Sequence, residues 1–271
     1  MIIASPGMSI FHADFDQIEL RIAAALSGEP SMIKAAKRGE SLHKSAAIKL
    51  FGEDYTPTQY GITKNGNFLW LYGGGPSKLS DTVGIPLEES KAFLSDYNQA
   101  FSVMTAYKRQ RQKDVLRAAL SPDELTMYYE LRSHMWNCPD TPNGRKDKLA
   151  LKVMLDALTR RKVAWITTPF GRRLPVEANK AYKVVNFEVQ STAAHIMGLA
   201  LLDVMADPEL EPTVLLPVHD ELLGEAPIRK ADYMARRYGE VMTRKFRGVP
   251  LTASGSVYGK SWGHGYMKKE D

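Results

Sequence analysis

The chain has 271 residues, 44% of them hydrophobic, a single cysteine and a formal net charge of +5. That is enough for one large domain or two coupled subdomains with a sizeable core. No apolar run approaches the ~18 residues of a membrane span, Met1–Gly7 lacks the basic region of a signal peptide, and Cys138 alone excludes an intramolecular disulfide. These features predict a cytoplasmic protein, and the modest positive charge permits a polyanionic partner without requiring one.

Taken in chain order, Met8–Phe15 reads as a buried strand that ends on Asp14 and Asp16. Ile18, Leu20, Ile22, Ala23 and Leu26 then give one apolar helical face. Gly28-Glu29-Pro30 interrupts it, and helices follow around Ser31–Lys37 and Leu42–Leu50. The next helix is predicted over Thr58–Tyr72, stopped by Gly73-Gly74-Gly75-Pro76. Another opens at Pro86, with proline in the first turn. Ser121-Pro122-Asp123-Glu124 has the form of a capping box, and Asn137–Gly144 is a loop on turn chemistry. Val163–Thr168 and Arg173–Val176 flank Pro169-Phe170-Gly171 as a hairpin. A long helix over Ala181–Met205 precedes a second hairpin, Val214–Val218 with Leu222–Ala226, carrying His219-Asp220-Glu221 at its tip. A helix over Arg229–Phe246 and a strand near Leu251–Tyr258 complete an α+β reading.

Two acidic positions lie far apart in sequence, Asp14 at a strand end and Asp220 at a hairpin tip. Phosphoryl transfer with two metal ions needs carboxylates held at such rigid positions, and hard oxygen ligands suit Mg²⁺. Either aspartate by itself is more simply a turn or capping residue. Between them, Lys64, Phe68 and Tyr72 recur at four-residue steps and share a broad helix face. That face can offer a cation to a triphosphate and rings to a base and sugar; the plainer alternative is an amphipathic helix with Phe68, Leu71 and Tyr72 in a core.

The block Asp14-Phe15-Asp16-Gln17-Ile18-Glu19-Leu20-Arg21 closely resembles the first motif of the family A DNA polymerases, of the bacterial DNA polymerase I type. Lys64-Asn65-Gly66-Asn67-Phe68-Leu69-Trp70-Leu71-Tyr72-Gly73 is similar to the second motif, and Leu216-Pro217-Val218-His219-Asp220-Glu221-Leu222 to the third. The resemblance implies a right-hand polymerase: a palm with an antiparallel sheet and helical fingers. It divides the chain into palm (1–28), fingers (29–112), an insertion (113–162) and palm again (163–271).

It also implies roles. Asp14 and Asp220 would bind two Mg²⁺ ions with the Phe15 carbonyl, and Glu221 would support them. Lys64 would neutralise the triphosphate and protonate the leaving group. Gln17, Glu19, His43, Lys64, Phe68 and Tyr72 would contact the dNTP, with Glu19 as a steric gate against a ribose 2′-hydroxyl and Phe68 disfavouring dideoxynucleotides. Arg172, Arg173, Asn186, Gln190 and His219 would meet primer–template DNA. The basic run Lys108, Arg109, Arg111, Lys113 and Arg117 either tracks phosphates or forms a solvated helix face.

Three departures from the family pattern stand out. Tyr60 occupies a position where an arginine is usual, Tyr182 replaces a basic residue, and the segment 113–162 is longer than the family's link. The first motif also begins close to Met1, so the chain is expected to carry no thumb or exonuclease ahead of it. The expectation is therefore a polymerase needing a separate or missing segment for its thumb and exonuclease. The alternative is a noncatalytic nucleic-acid-binding or scaffold remnant. A single-subunit RNA polymerase is disfavoured by the gate at Glu19.

Overall fold

The computed structural model describes residues 2–266; Met1 and residues 267–271, the end of the predicted C-terminal palm segment, lie outside the described residues. The elements in chain order are β1 (Met8–Phe15), α1 (Ile18–Ser27), α2 (Pro30–Lys37), α3 (Leu42–Phe51), α4 (Pro57–Tyr72), α5 (Pro76–Val83), α6 (Leu87–Ala100), α7 (Ser102–Ala119), α8 (Pro122–Asn137) and α9 (Pro142–Thr159). The chain continues with β2 (Val163–Thr167), β3 (Arg173–Glu177), α10 (Val184–Met205), β4 (Val214–Val218), β5 (Glu221–Pro227), α11 (Ala231–Met242), β6 (Arg244–Phe246), β7 (Val249–Leu251) and β8 (Ala253–Gly259). The fold is α+β. Two compact units divide it: Met1–Tyr60 with Val189–Asp271, and Gly61–Glu188. Among the described residues no helix is long and apolar enough to cross a membrane.

In the first unit, an antiparallel sheet has the order β4-β5-β1-β8, which places the earliest strand at its centre. Strand alternation sends Phe11, Ala13 and Phe15 to one face, all buried, and His12 and Asp14 to the other. The Phe11 ring meets Tyr238 of α11 edge-on at 4.8 Å, within a face of α11 formed by Met234, Ala235, Tyr238 and Met242. Helix and sheet approach closely because two glycines allow it. A Cβ on Gly255 of β8 would overlap the Ala235 carbonyl, and one on Gly239 would come within 2.9 Å of the Ala253 carbonyl. Gly255→Ala should therefore force α11 off the sheet and lower stability by about 2 kcal/mol, as overpacking does. Urea unfolding checks this; an unchanged midpoint would mean the helix yields freely.

The second unit is built around α4. Ile62, Thr63, Gly66, Asn67, Trp70 and Leu71 are buried, Tyr97 Oη of α6 donates to Asn67 Oδ1 at 2.6 Å, and Gly66 lies where any Cβ would meet the Phe93 ring. The predicted capping box forms: Ser121 Oγ accepts from Glu124 N at 3.3 Å, and Glu124 Oε2 accepts from Ser121 N at 2.9 Å. Glu124 also pairs with Lys162 at 2.9 Å, which ties the start of α8 to the end of the α8–α9 pair.

Several boundaries differ from the sequence reading. The helix predicted over Arg229–Phe246 ends at Met242, because Arg247 (φ 47°) and Gly248 (φ 78°) make a two-residue turn that pairs β6 with β7. Both central residues of that turn have positive φ, the geometry matching the twist of a tight hairpin. The predicted loop Asn137–Gly144 shrinks to 138–141, since Thr141 caps α9 by accepting from Gly144 N at 3.1 Å and Pro142 takes its first position. Pro86 stands as the residue before α6 rather than within it. The predicted start of the long helix, Ala181–Lys183, belongs to a short tight helix over Ala178–Lys183 that leads into α10.

Candidate active site

Pairing of β1 with β5 sets Asp14 opposite Glu221, and pairing with β8 sets it opposite Ser254. Asp220 is held at the tip of the β4–β5 hairpin, where Phe15 N donates to its carbonyl at 3.2 Å. The preceding residue, His219, has φ 55°, which a two-residue hairpin needs at that point. Two aspartates 206 positions apart in the chain thus become neighbours at one end of the sheet.

The electrostatics are those of crowded, partly desolvated carboxylates. Burial, then the charges of Asp220, Glu221 and Asp16, push the Asp14 carboxyl up to about 7. Asp220 is also raised, chiefly by burial. Asp14 Oδ1 is buried with no hydrogen-bond partner among the described residues, an arrangement that costs free energy unless something compensates it. Asp16, two residues on in the turn after β1, is satisfied: its oxygens accept from Thr252 Oγ1 at 2.8 Å and Ser254 Oγ at 2.9 Å. The structure therefore separates a structural aspartate, Asp16, from Asp14, one of whose oxygens has no partner among the described residues although the Phe15 N–H bonds its carboxyl. Uncompensated negative charge with an orphan oxygen fits a divalent cation. Among the described residues no cluster of three or more histidine, cysteine or carboxylate groups is arranged to hold a metal.

His12 escaped the sequence reading. It lies on the same strand face as Asp14, with Nδ1 3.4 Å from Glu221 Oε1, Nε2 2.7 Å from Ser256 Oγ, and its ring stacked on Tyr258 at 4.0 Å. Desolvation lowers its pKa, with Glu221 opposing. A polar residue two positions before Asp14 in an otherwise apolar strand was the available signal. Arg21 was quoted only as part of the first motif. It is buried, and its guanidinium donates to the carbonyls of Asp16 at 2.7 Å and Pro250 at 3.0 Å, which fixes the turn between β1 and α1.

Gln17, at φ 53°, caps that turn. Its amide donates to Ser41 Oγ at 3.0 Å and accepts from Leu42 N at 2.8 Å, joining the start of α1 to the start of α3. Its observed role is thus to hold two helix starts together. Glu19 lies in the first turn of α1, where a carboxylate also complements the helix dipole, and His43 is buried in the first turn of α3. Tyr60 sits with its ring 6.1 Å from that of Tyr55.

In the second unit, the burial of the opposite face of α4 turns Lys64, Phe68 and Tyr72 outward. Phe68 and Tyr72 are 38% and 44% exposed, with ring centroids 6.5 Å apart. The alternative that placed both rings in a core does not hold; of that trio only Leu71 is buried. Beyond the β2–β3 turn, Arg173 stacks over Trp165 at 5.2 Å, whereas Arg172 is exposed and makes no ion pair among the described residues. Asn186 is buried with Nδ2 unpartnered among the described residues, and Gln190, one turn on along α10, is exposed.

The family model for DNA polymerase family A matches residues 1–121 and 153–264. The chain belongs to that family. It is 29% identical over 277 residues to the thermostable DNA polymerase I of Thermus aquaticus, covering 96% of this chain and 28% of that protein. It is 28% identical over 266 residues to a DNA polymerase of a Mycobacterium phage, covering 97% and 36%. It is 31% identical over 267 residues to DNA polymerase I of Deinococcus radiodurans, covering 96% and 24%. The POL domain of Pol1 from M. smegmatis, solved in complex with DNA primer-template and dNTP, shares the fold at a TM-score of 0.68 and 24% identity, over 96% of this chain and 41% of that one. The chain thus spans about a third or less of the length of these curated relatives. The family match is interrupted between residues 121 and 153, where α8 and the larger part of α9 lie.

Proposed function

We propose that this chain performs template-directed DNA synthesis. A primer 3′-hydroxyl attacks the α-phosphorus of a dNTP, a new phosphodiester P–O bond forms, the α–β bridging P–O bond breaks, and pyrophosphate leaves. The observation that carries the reading is the buried, unpartnered oxygen of Asp14 beside Asp220 and Glu221. Two Mg²⁺ ions held by Asp14, the Phe15 carbonyl and Asp220 would stabilise charge on the attacking and leaving oxygens. Asp14 is held in place by the strand pairing and Asp220 by the Phe15 N–H on its carbonyl, while His12 faces Glu221 beside them. Lys64 offers a cation to the triphosphate and a proton to the departing pyrophosphate. Phe68 and Tyr72 present rings to the base and sugar, and His43 belongs near the phosphates. Glu19 occupies the space a ribose 2′-hydroxyl needs, while Gln17 holds the helix start that positions Glu19. Arg172, Arg173, Asn186, Gln190 and His219 are assigned to primer–template contacts. Because the relatives are so much longer, we assign the thumb's grip on the duplex, and any exonuclease, to sequence outside these residues.

Single-nucleotide primer extension with Mg²⁺ and protein in excess over primer–template tests the proposal. The expected result is incorporation of dNTP in strong preference to rNTP, reduced about 1,000-fold or more in Asp220→Ala, the scale of removing metal-based charge stabilisation. DNA binding without incorporation, unchanged when a thumb-bearing polypeptide is supplied, would instead establish the noncatalytic reading.

A further inference from the structure

The basic run of α7 is split by helix geometry. Lys108 and Arg111 point inward: Lys108 Nζ donates to the Trp70 carbonyl, and Arg111 pairs with Glu188 at 3.3 Å and Asp114 at 3.2 Å. Arg109 and Lys113, one turn apart, instead line a cleft of about 310 Å³ within the second unit. The cleft is completed by Tyr128, Tyr129 and Arg132 of α8 and by Tyr182. Arg109, Lys113 and Arg132 make no ion pair among the described residues, and no carboxylate lines the cleft. Tyr129 and Tyr182 are each 42% exposed, and the Arg132 guanidinium lies 6.0 Å from the Tyr128 ring centroid.

We propose that this cleft, walled by α7, α8 and the Ala178–Lys183 helix, binds an unpaired nucleotide of single-stranded DNA. Three uncompensated cations supply the attraction for a phosphodiester backbone. Exposed tyrosines supply faces on which a base can stack without regard to sequence. An acidic peptide would satisfy the cations and leave the tyrosines unused. The volume, at the lower end of ligand pockets, accommodates one splayed nucleotide and is too small for a duplex. α8, which brings Tyr128, Tyr129 and Arg132 to the cleft, lies in the segment where the family match is interrupted, whereas the α7 wall and Tyr182 lie within it. Naming the occupant as the template strand rests on the polymerase reading; the chemistry of the cleft does not.

The test is equilibrium binding of a fluorescent oligothymidylate of about 12 nucleotides, set beside a blunt duplex, using the full chain. Wild type should prefer the single strand. Arg132→Ala should weaken single-strand binding about tenfold and reduce the slope of log affinity against log salt by about 0.7, one phosphate contact on a single strand. Tyr128→Leu and Tyr129→Leu should weaken binding about tenfold without changing that slope. On a template with a one-nucleotide overhang, incorporation by all three variants should equal wild type, whereas on a long overhang their apparent affinity for primer–template should fall. Variants that bind the single strand as wild type does, or that lose single strand and duplex equally, would overturn the proposal. If no template supports incorporation even with a thumb-bearing polypeptide supplied, yet the variants still lose oligothymidylate binding, the cleft stands and the polymerase reading falls.

Discussion

Asp14→Asn is expected to yield a protein that resists urea better than wild type in the absence of divalent cations and incorporates nucleotide at least ~1,000-fold more slowly. Both effects have one origin. At pH 8 the wild-type carboxylate is ionised, although burial and the charges of Asp220, Glu221 and Asp16 oppose it. The folded protein therefore carries repulsion that the unfolded chain lacks. Asparagine keeps the shape and removes the charge. Because the site is partly open to solvent, the expected gain is about 2 kcal/mol, roughly half of what the upward shift would give without screening. The measurement is a pair of urea titrations at pH 8, with and without millimolar Mg²⁺. Added Mg²⁺ should raise the wild-type midpoint and leave that of Asp14→Asn nearly unchanged, narrowing the difference between them. An asparagine variant no more stable than wild type without metal would show that the carboxylates are not in conflict.

A second large effect is expected at Lys108, which serves no step of the proposed reaction. Burial lowers its pKa from 10.5 to about 8, although its ammonium donates to the Trp70 carbonyl and lies 4.9 Å from that ring. The folded pKa is below the unfolded one, so between about pH 8 and 10.5 the unfolded chain binds more protons and stability rises with pH. Below pH 8 the full cost of burying the charge is present. Lys108→Met removes that cost together with one hydrogen bond, and should stabilise the protein by about 2 kcal/mol at pH 7.5. The difference between variant and wild type should close, then reverse slightly, as pH approaches 10.5. A difference constant across that range would place the cause in packing rather than charge.

The parts of the molecule legible in the sequence are those set by local pattern. β1 was bounded to the residue, because apolar alternation running into two aspartates admits little else. The capping box at Ser121 and the register of the α4 face followed from side chains three and four positions apart. The α+β class followed from the predicted hairpins, early strand and helices, and the family resemblance from three motifs, each short and contiguous. Features that depend on distant partners were not legible. Asp14 and Asp16 look alike in sequence, and only Thr252 and Ser254 on the neighbouring chain segments distinguish the satisfied residue from the orphan. His12 gains its meaning from Glu221 and Ser256. The β6–β7 hairpin was missed, β6 being read as the end of a helix, because its strands are three residues each, too short to show a period. The two halves of the basic run on α7 became distinguishable only once Trp70 and Glu188 were seen to occupy one side of the helix.

The position of β1 also governs when the protein can assemble. Within these residues β1 is made before every other strand, yet both its neighbours, β5 and β8, belong to the last fifth of the chain. Until residue 259 has been made, one or both edges of an apolar central strand stay unpaired. Loop closure over such separations is slow, and open strand edges invite association with other chains. Synthesis interrupted anywhere before β8 would leave Asp14 on a strand without its full sheet. Translation speed and chaperone capacity, more than the chemistry of the carboxylates, are then expected to govern the yield of active molecules.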